Sequence, residues 1–264
     1  MKFLSRAHVC RYGWVLASLL GLSSLGMAQT SCNYVSPDHK QALLELFTSD
    51  GCDSCPPANA MAARLLKEDK SVIPLSYHVT YWNYLGWPDT HSQPAFDERQ
   101  RTYARLSPRG SVYTPAFFVN GQEWADWSRN RGPLERAKST TAPVRLSLTL
   151  QPASDGAVDV HVRLAPVAGQ PAVALDKAQI TLLLVQDGVV SRPTAGELNG
   201  VTLQHEHVVL ATQQLDAQAA LQRAVSLRFD LPESGPDERW GVVAFVQSSD
   251  LRQVYQSLDA PQCF

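Results

Sequence analysis

Apart from one stretch near its amino end, the sequence has no long apolar run, and neither sign of charge dominates it. Its 264 residues carry 23 basic and 25 acidic side chains, a net charge of −2, which argues against a nucleic-acid partner. It contains no second cysteine pair and no His-x-x-x-His spacing, so the ligands of an ordinary cysteine or histidine zinc site are missing. It shows no internal repeat and no low-complexity tract. Its second half offers no acid pair, Ser-His-Asp set or glycine-rich phosphate loop, which leaves hydrolytic and nucleotide chemistry without residues to carry it. No cofactor is expected.

What is present begins with Tyr12 to Met27, apolar and uncharged, behind Lys2, Arg6 and Arg11 and ahead of Gly26-Met27-Ala28. Basic region, apolar region and small residues in that order predict a secretory signal peptide over residues 1–28, with no membrane span once it is removed. Export to the periplasm or beyond permits disulfides. Of five cysteines, Cys10 falls in the signal segment, leaving Cys32, Cys52, Cys55 and Cys263. Three pairings are open to four cysteines. Cys52 and Cys55 are near enough in sequence to pair, and Cys32 with Cys263 would then be a structural bridge joining the ends of the mature chain.

The first half alternates element types. Gln41 to Thr48 reads as a strand, Pro56 to Asp69 as a helix, and Val72 to Trp82, apolar at period two, as a second strand. An aromatic loop with Tyr81, Trp82, Tyr84 and Trp87 precedes a helical segment near Pro94 to Leu106. Val112 to Val119 is a third strand, Asn120-Gly121 a hairpin signal, and Pro133 to Lys138 a final helix. From Pro143 the texture changes to six strand-like runs: 145–150, 158–164, 180–186, 201–210, 225–231 and 241–247. Turn residues separate them, as in a sandwich; 216–223 is read as a loop or a single turn. The expected domains are 29–141 and 142–264.

Cys52 and Cys55 sit where a strand meets a helix, where free N–H groups and the helix dipole favour a thiolate. Cys52 is the candidate nucleophile and Cys55 the resolving sulfur, while Asp53 next to Cys52 disfavours a second negative charge and points to a moderate oxidant or a reductant. Glu45, in the first strand, is a candidate proton acceptor for the resolving sulfur. Thr114 and Pro115, with Trp82 of the aromatic loop, are candidates for holding a substrate backbone. His78 with the dithiol would make a soft-metal site, or else is a packed strand residue. His205 and His207 share a strand face.

Strand, Cys-x-x-Cys, helix, strand, helix, Thr-Pro, strand, hairpin and helix is the thioredoxin order. More closely, Glu45 to Ser49 with Gly51 to Pro57, Ser76 to Val79 with Tyr81-Trp82 and Tyr84 to Trp87, Arg99 to Arg101 with Tyr103-Ala104, and Val112 to Pro115 with Val119 to Gly121 resemble the secreted bacterial family catalogued as domain of unknown function 1223. The resemblance spans roughly Ala42 to Trp124. It implies an α/β thioredoxin-like domain, here followed by an all-β sandwich-like domain, and an exported location; it brings no established activity. The expected function is thiol–disulfide exchange with a protein or peptide substrate and an unknown redox partner. The alternatives are a binding module with a structural disulfide and a copper or zinc carrier.

Overall fold

The computed structural model describes residues 31–233 and 235–264. The expected signal peptide and Cys10 lie outside them. The first half gives β1 (Cys32–Val35), β2 (Ala42–Thr48), α1 (Pro56–Glu68), β3 (Val72–His78), α2 (Pro94–Leu106), β4 (Ala116–Val119), β5 (Gln122–Glu123) and α3 (Gly132–Lys138). The second gives β6 (Val144–Pro152), β7 (Ala157–Pro166), β8 (Ala178–Asp187), β9 (Val189–Ser191), β10 (Leu203–His205), β11 (Val208–Asp216), α4 (Ala217–Gln222), β12 (Val225–Asp230), β13 (Arg239–Ser248) and β14 (Val254–Pro261).

The local chemistry of the first half explains its elements. Pro56 and Pro57 open α1 and Pro94 opens α2, at positions where a missing N–H costs no intrahelical bond. Asn120 and Gly121 both have positive φ between β4 and β5. A Cβ on Gly121 would lie 2.3 Å from the Leu251 carbonyl oxygen, so only glycine fits there. In the second half, Asp216 caps α4 by accepting the Ala219 N–H at 2.9 Å. A segment read as a loop or turn is thereby a short helix.

The expected fold class does not hold. The molecule is mostly β. Its largest sheet has eight strands in the order β14-β13-β8-β11-β3-β2-β4-β5, so the first half is not a thioredoxin-like α/β domain standing apart from a sandwich. The joint is at Val208↔Ser76, where β11 runs parallel to β3, reinforced by the Ser76 N–H donating to the His207 carbonyl at 2.9 Å. The physical reason is the exposed edge of β3: an unpaired strand edge invites pairing, and the second half supplies the strand. A further sheet, β1-β6-β7-β12, takes its first strand from the amino end of the described chain.

Strands β8 and β13 lie at the centre of this arrangement and are buried on both faces. Leu182, Leu184, Val242, Ala244 and Val246 pack in one apolar core with Leu148, Val160 and Val162 of the four-stranded sheet. Leu183, Val185, Val243 and Phe245 face the other way, into a core shared with Phe47, Tyr77, Phe96 and Tyr103. Burial on both faces explains why these two strands read as nearly continuous apolar runs rather than alternating ones. On the opposite face of β2, Leu44 and Leu46 pack against Ala58, Met61 and Leu65 of α1.

Candidate functional site

Both disulfides are present, Cys32–Cys263 with Cα atoms 6.6 Å apart and Cys52–Cys55 with Cα atoms 5.4 Å apart. The second closes just ahead of the first turn of α1, whose N–H groups from Ala58 and Asn59 bond the Cys55 carbonyl at 2.9 and 3.1 Å. The Ser54 hydroxyl lies 3.5 Å from Cys52 Sγ. Gly51 lets the turn approach the aromatic loop, since a Cβ there would meet Trp82 Cβ at 2.9 Å. Trp82 in turn donates its indole N–H to Thr114 Oγ1 at 2.7 Å, next to the cis Thr114–Pro115 bond. Gln100 of α2 holds the preceding residue by donating to the Tyr113 carbonyl at 2.6 Å. The structure thus brings Cys52, Cys55, Trp82, Thr114 and Pro115 to one end of the sheet.

Glu45 is elsewhere. It shares the face of β2 with Leu43 and Phe47, opposite the face that Leu44 and Leu46 turn to α1. Its carboxylate accepts from Arg99 Nε and from the Tyr103 hydroxyl, each at 2.6 Å. The Tyr103 hydroxyl also takes N–H groups from Arg99 at 2.8 Å and Gln247 at 2.9 Å. Burial, which Arg99 only partly offsets, raises the Tyr103 phenol far above its ordinary range, so it stays a neutral donor. This closed network joins α2, β2 and β13 and satisfies a buried charge; it does not place Glu45 beside a sulfur.

Both cysteines are 0% exposed. Residues 192–202, between β9 and β10, lie over this end. The Glu197 carboxylate accepts the Asp53 N–H at 3.2 Å, and the Cβ of Ala195 would be 3.4 Å from one built on Gly86. Reasoning from sequence missed this cover, because nothing local links Glu197 to a motif 144 residues away.

It also missed a buried polar group beside the dithiol. Asp50, two residues before Cys52, lies with its Oδ1 3.0 Å from His205 Nε2, and the Trp87 indole donates to its Oδ2 at 3.3 Å. Asp89 Oδ2 is 2.7 Å from His78 Nδ1 and accepts the Asp50 N–H at 3.0 Å. The His78 ring centre is 4.8 Å from that of His205 and 5.6 Å from that of His91. Burial opposes ionisation of Asp89, but the charge and hydrogen bond of His78 outweigh it and hold the carboxyl well below the usual range. Burial lowers the His205 pKa, which Asp50 only partly offsets. His205 and His207, expected on one strand face, part company because His207 takes a positive φ. His207 turns to the Pro74 carbonyl, with Nδ1 2.9 Å away.

A model of the family described as protein of unknown function (DUF1223) matches residues 43–247. The chain belongs to that family. No curated protein matches this DUF1223 chain. A solved structure of a protein from Agrobacterium tumefaciens, 24% identical, is similar over 85% of this chain and 96% of its own with a TM-score of 0.59. HBP35 of Porphyromonas gingivalis, 17% identical, is similar over 85% of the DUF1223 chain and 76% of its own with a TM-score of 0.60. Both likenesses concern the fold. Among the described residues, no helix is long and apolar enough to cross a membrane.

Proposed function

We propose that this protein exchanges electrons with a protein thiol or disulfide through Cys52 and Cys55, in an exported compartment. In the reduced form the Cys52 thiolate attacks a substrate disulfide, and one substrate sulfur leaves as a thiolate. The Cys55 thiolate then attacks Cys52 Sγ, which closes the intramolecular disulfide and releases the second substrate thiolate; the substrate gains two electrons and the protein loses them. The observation that carries the reading is the placement of the pair at the start of the 13-residue helix α1, with a hydroxyl 3.5 Å from the attacking sulfur. A hydrogen-bond donor at that distance and the positive end of the helix both favour a thiolate. Thr114, Pro115 and Trp82 form the wall along which the substrate backbone would lie. Export is supported by the amino-terminal segment and by two disulfides, which persist outside the cytosol.

Asp53 and Glu197 both weaken the thiolate. Asp53 adds a like charge beside Cys52, and the Glu197 carboxylate occupies an N–H of the same turn. The reading therefore favours reduction or mild oxidation over strong oxidation. Exchange also requires part of the structure around the pair to move aside, because neither cysteine has exposed surface.

That burial favours a second reading, a binding module whose Cys52–Cys55 bond is structural. Insulin reduction driven by dithiothreitol, together with trapping of a mixed disulfide by Cys55→Ala, separates the two. Turnover and a trapped adduct are expected for exchange. Absence of both, with a reduction potential below about −300 mV, would leave the structural reading in its place.

A further inference from the structure

The polar group behind the dithiol poses a charge problem that exchange does not use. Asp50 and Asp89 are buried at 1% and 4% exposure. Among the described residues, the ion-pair partners of these two carboxylates are imidazoles, with no Lys or Arg. Two buried carboxylates held this close, with the Asp50 N–H donating to Asp89 Oδ2 at 3.0 Å, repel each other, and a cation among them offsets that cost.

Two nitrogens point to the same need. His78 Nδ1 is engaged by Asp89, and its Nε2 is buried with no hydrogen-bond partner; His205 Nδ1 is likewise buried and unpartnered. Buried polar atoms almost always have a partner, so two orphaned imidazole nitrogens mark this group as incompletely satisfied.

We propose that His78, His91 and Asp89 form a binding site for zinc or a similar first-row divalent ion, with Asp50 and His205 lending it further charge and orientation. Ligand atoms of the first three residues lie within 4.8 Å of one another. Tetrahedral zinc with bonds of about 2.0–2.2 Å sets its ligand atoms about 3.3–3.6 Å apart. The site closes onto an ion by a shift of little more than an ångström. His91 can supply that shift, because its side chain is 20% exposed, and the same exposure gives the ion a way in. Imidazole with carboxylate suits zinc and its neighbours better than calcium, which prefers oxygen, or copper(I), which prefers sulfur. The missing fourth ligand leaves room for water or a small anion.

This site does not rest on the exchange chemistry. In the oxidised protein each sulfur is bonded to the other, so neither is a ligand. The test is made on that form: the full mature chain is stripped with chelator, dialysed against micromolar zinc, and its metal content and affinity are measured. One zinc per chain is expected, with at least a tenfold loss of affinity in His91→Ala and retention in the Cys52→Ser/Cys55→Ser double variant. His78→Gln, checked for folding by circular dichroism, should lose zinc as well. If it does not fold, the partly exposed His91 decides alone. No stoichiometric uptake, uptake unchanged in His91→Ala, or uptake abolished by the cysteine variant would each overturn the assignment.

Discussion

The two halves of the eight-stranded sheet bury different things. Around β8 and β13 the core against the four-stranded sheet is leucine, valine, isoleucine and alanine with few aromatics. Around β2 and β3 the interior holds Glu45, Asp50, Ser76, His78, Asp89, Asp97 and Gln100. Apolar burial stabilises without directional demands, whereas each buried polar group must find partners or lose about 1–3 kcal/mol. One region is therefore insensitive to detail and the other is sensitive to single atoms. The disulfides follow the same division: the bridge between the chain ends fastens the apolar region, and the close pair sits among the buried charges.

Removing Arg99 tests the contrast most severely. Arg99→Ala leaves Glu45 charged and buried, and unfolding in urea should show a loss of about 3–5 kcal/mol; a loss below about 1 kcal/mol would mean the polar half is as forgiving as the apolar one. Next, Cys32→Ala with Cys263→Ala opens a loop with a sequence separation of 231, with an expected loss of about 2–4 kcal/mol. Reduction kinetics at Cys52–Cys55 should stay unchanged in that variant, since the two disulfides belong to different regions. The smallest change in stability, within about 0.5 kcal/mol, is expected for Glu197→Ala. Its effect should appear instead as several-fold faster reduction of Cys52–Cys55 by dithiothreitol, because the tie over Asp53 is lost. An unchanged rate would show that residues 192–202 do not control access.

What the sequence made legible was local. Pro56-Pro57, the Asn120-Gly121 turn and the apolar run Leu43 to Phe47 announce their own geometry, so β2, α1, α2, the β4–β5 hairpin and α3 could be read. The run Val201 to Leu210 was read as one strand; it breaks into β10 and β11 at His207, whose positive φ has no signature in a histidine. Strand β14 escaped notice because Gln256 and Ser257 are polar yet buried, which blurs its alternation. The site divided in the same way. Cys52, Cys55 and Thr114-Pro115 were visible as spacings. Asp50 went unremarked, and its meeting with His205 depends on a strand pairing that no local pattern encodes. Glu45 was visible as an acid in an apolar strand, but its partners Arg99 and Tyr103 were not.

The β3–β11 joint has a kinetic consequence. The contact of Ser76 with Glu206 spans 130 residues, so a chain made from its amino end exposes the outer edge of β3 until the second half has been synthesised. Pairings this distant close slowly, and an open strand edge is where chains adhere to one another. The interval before β11 docks is therefore the period when this protein most needs a chaperone.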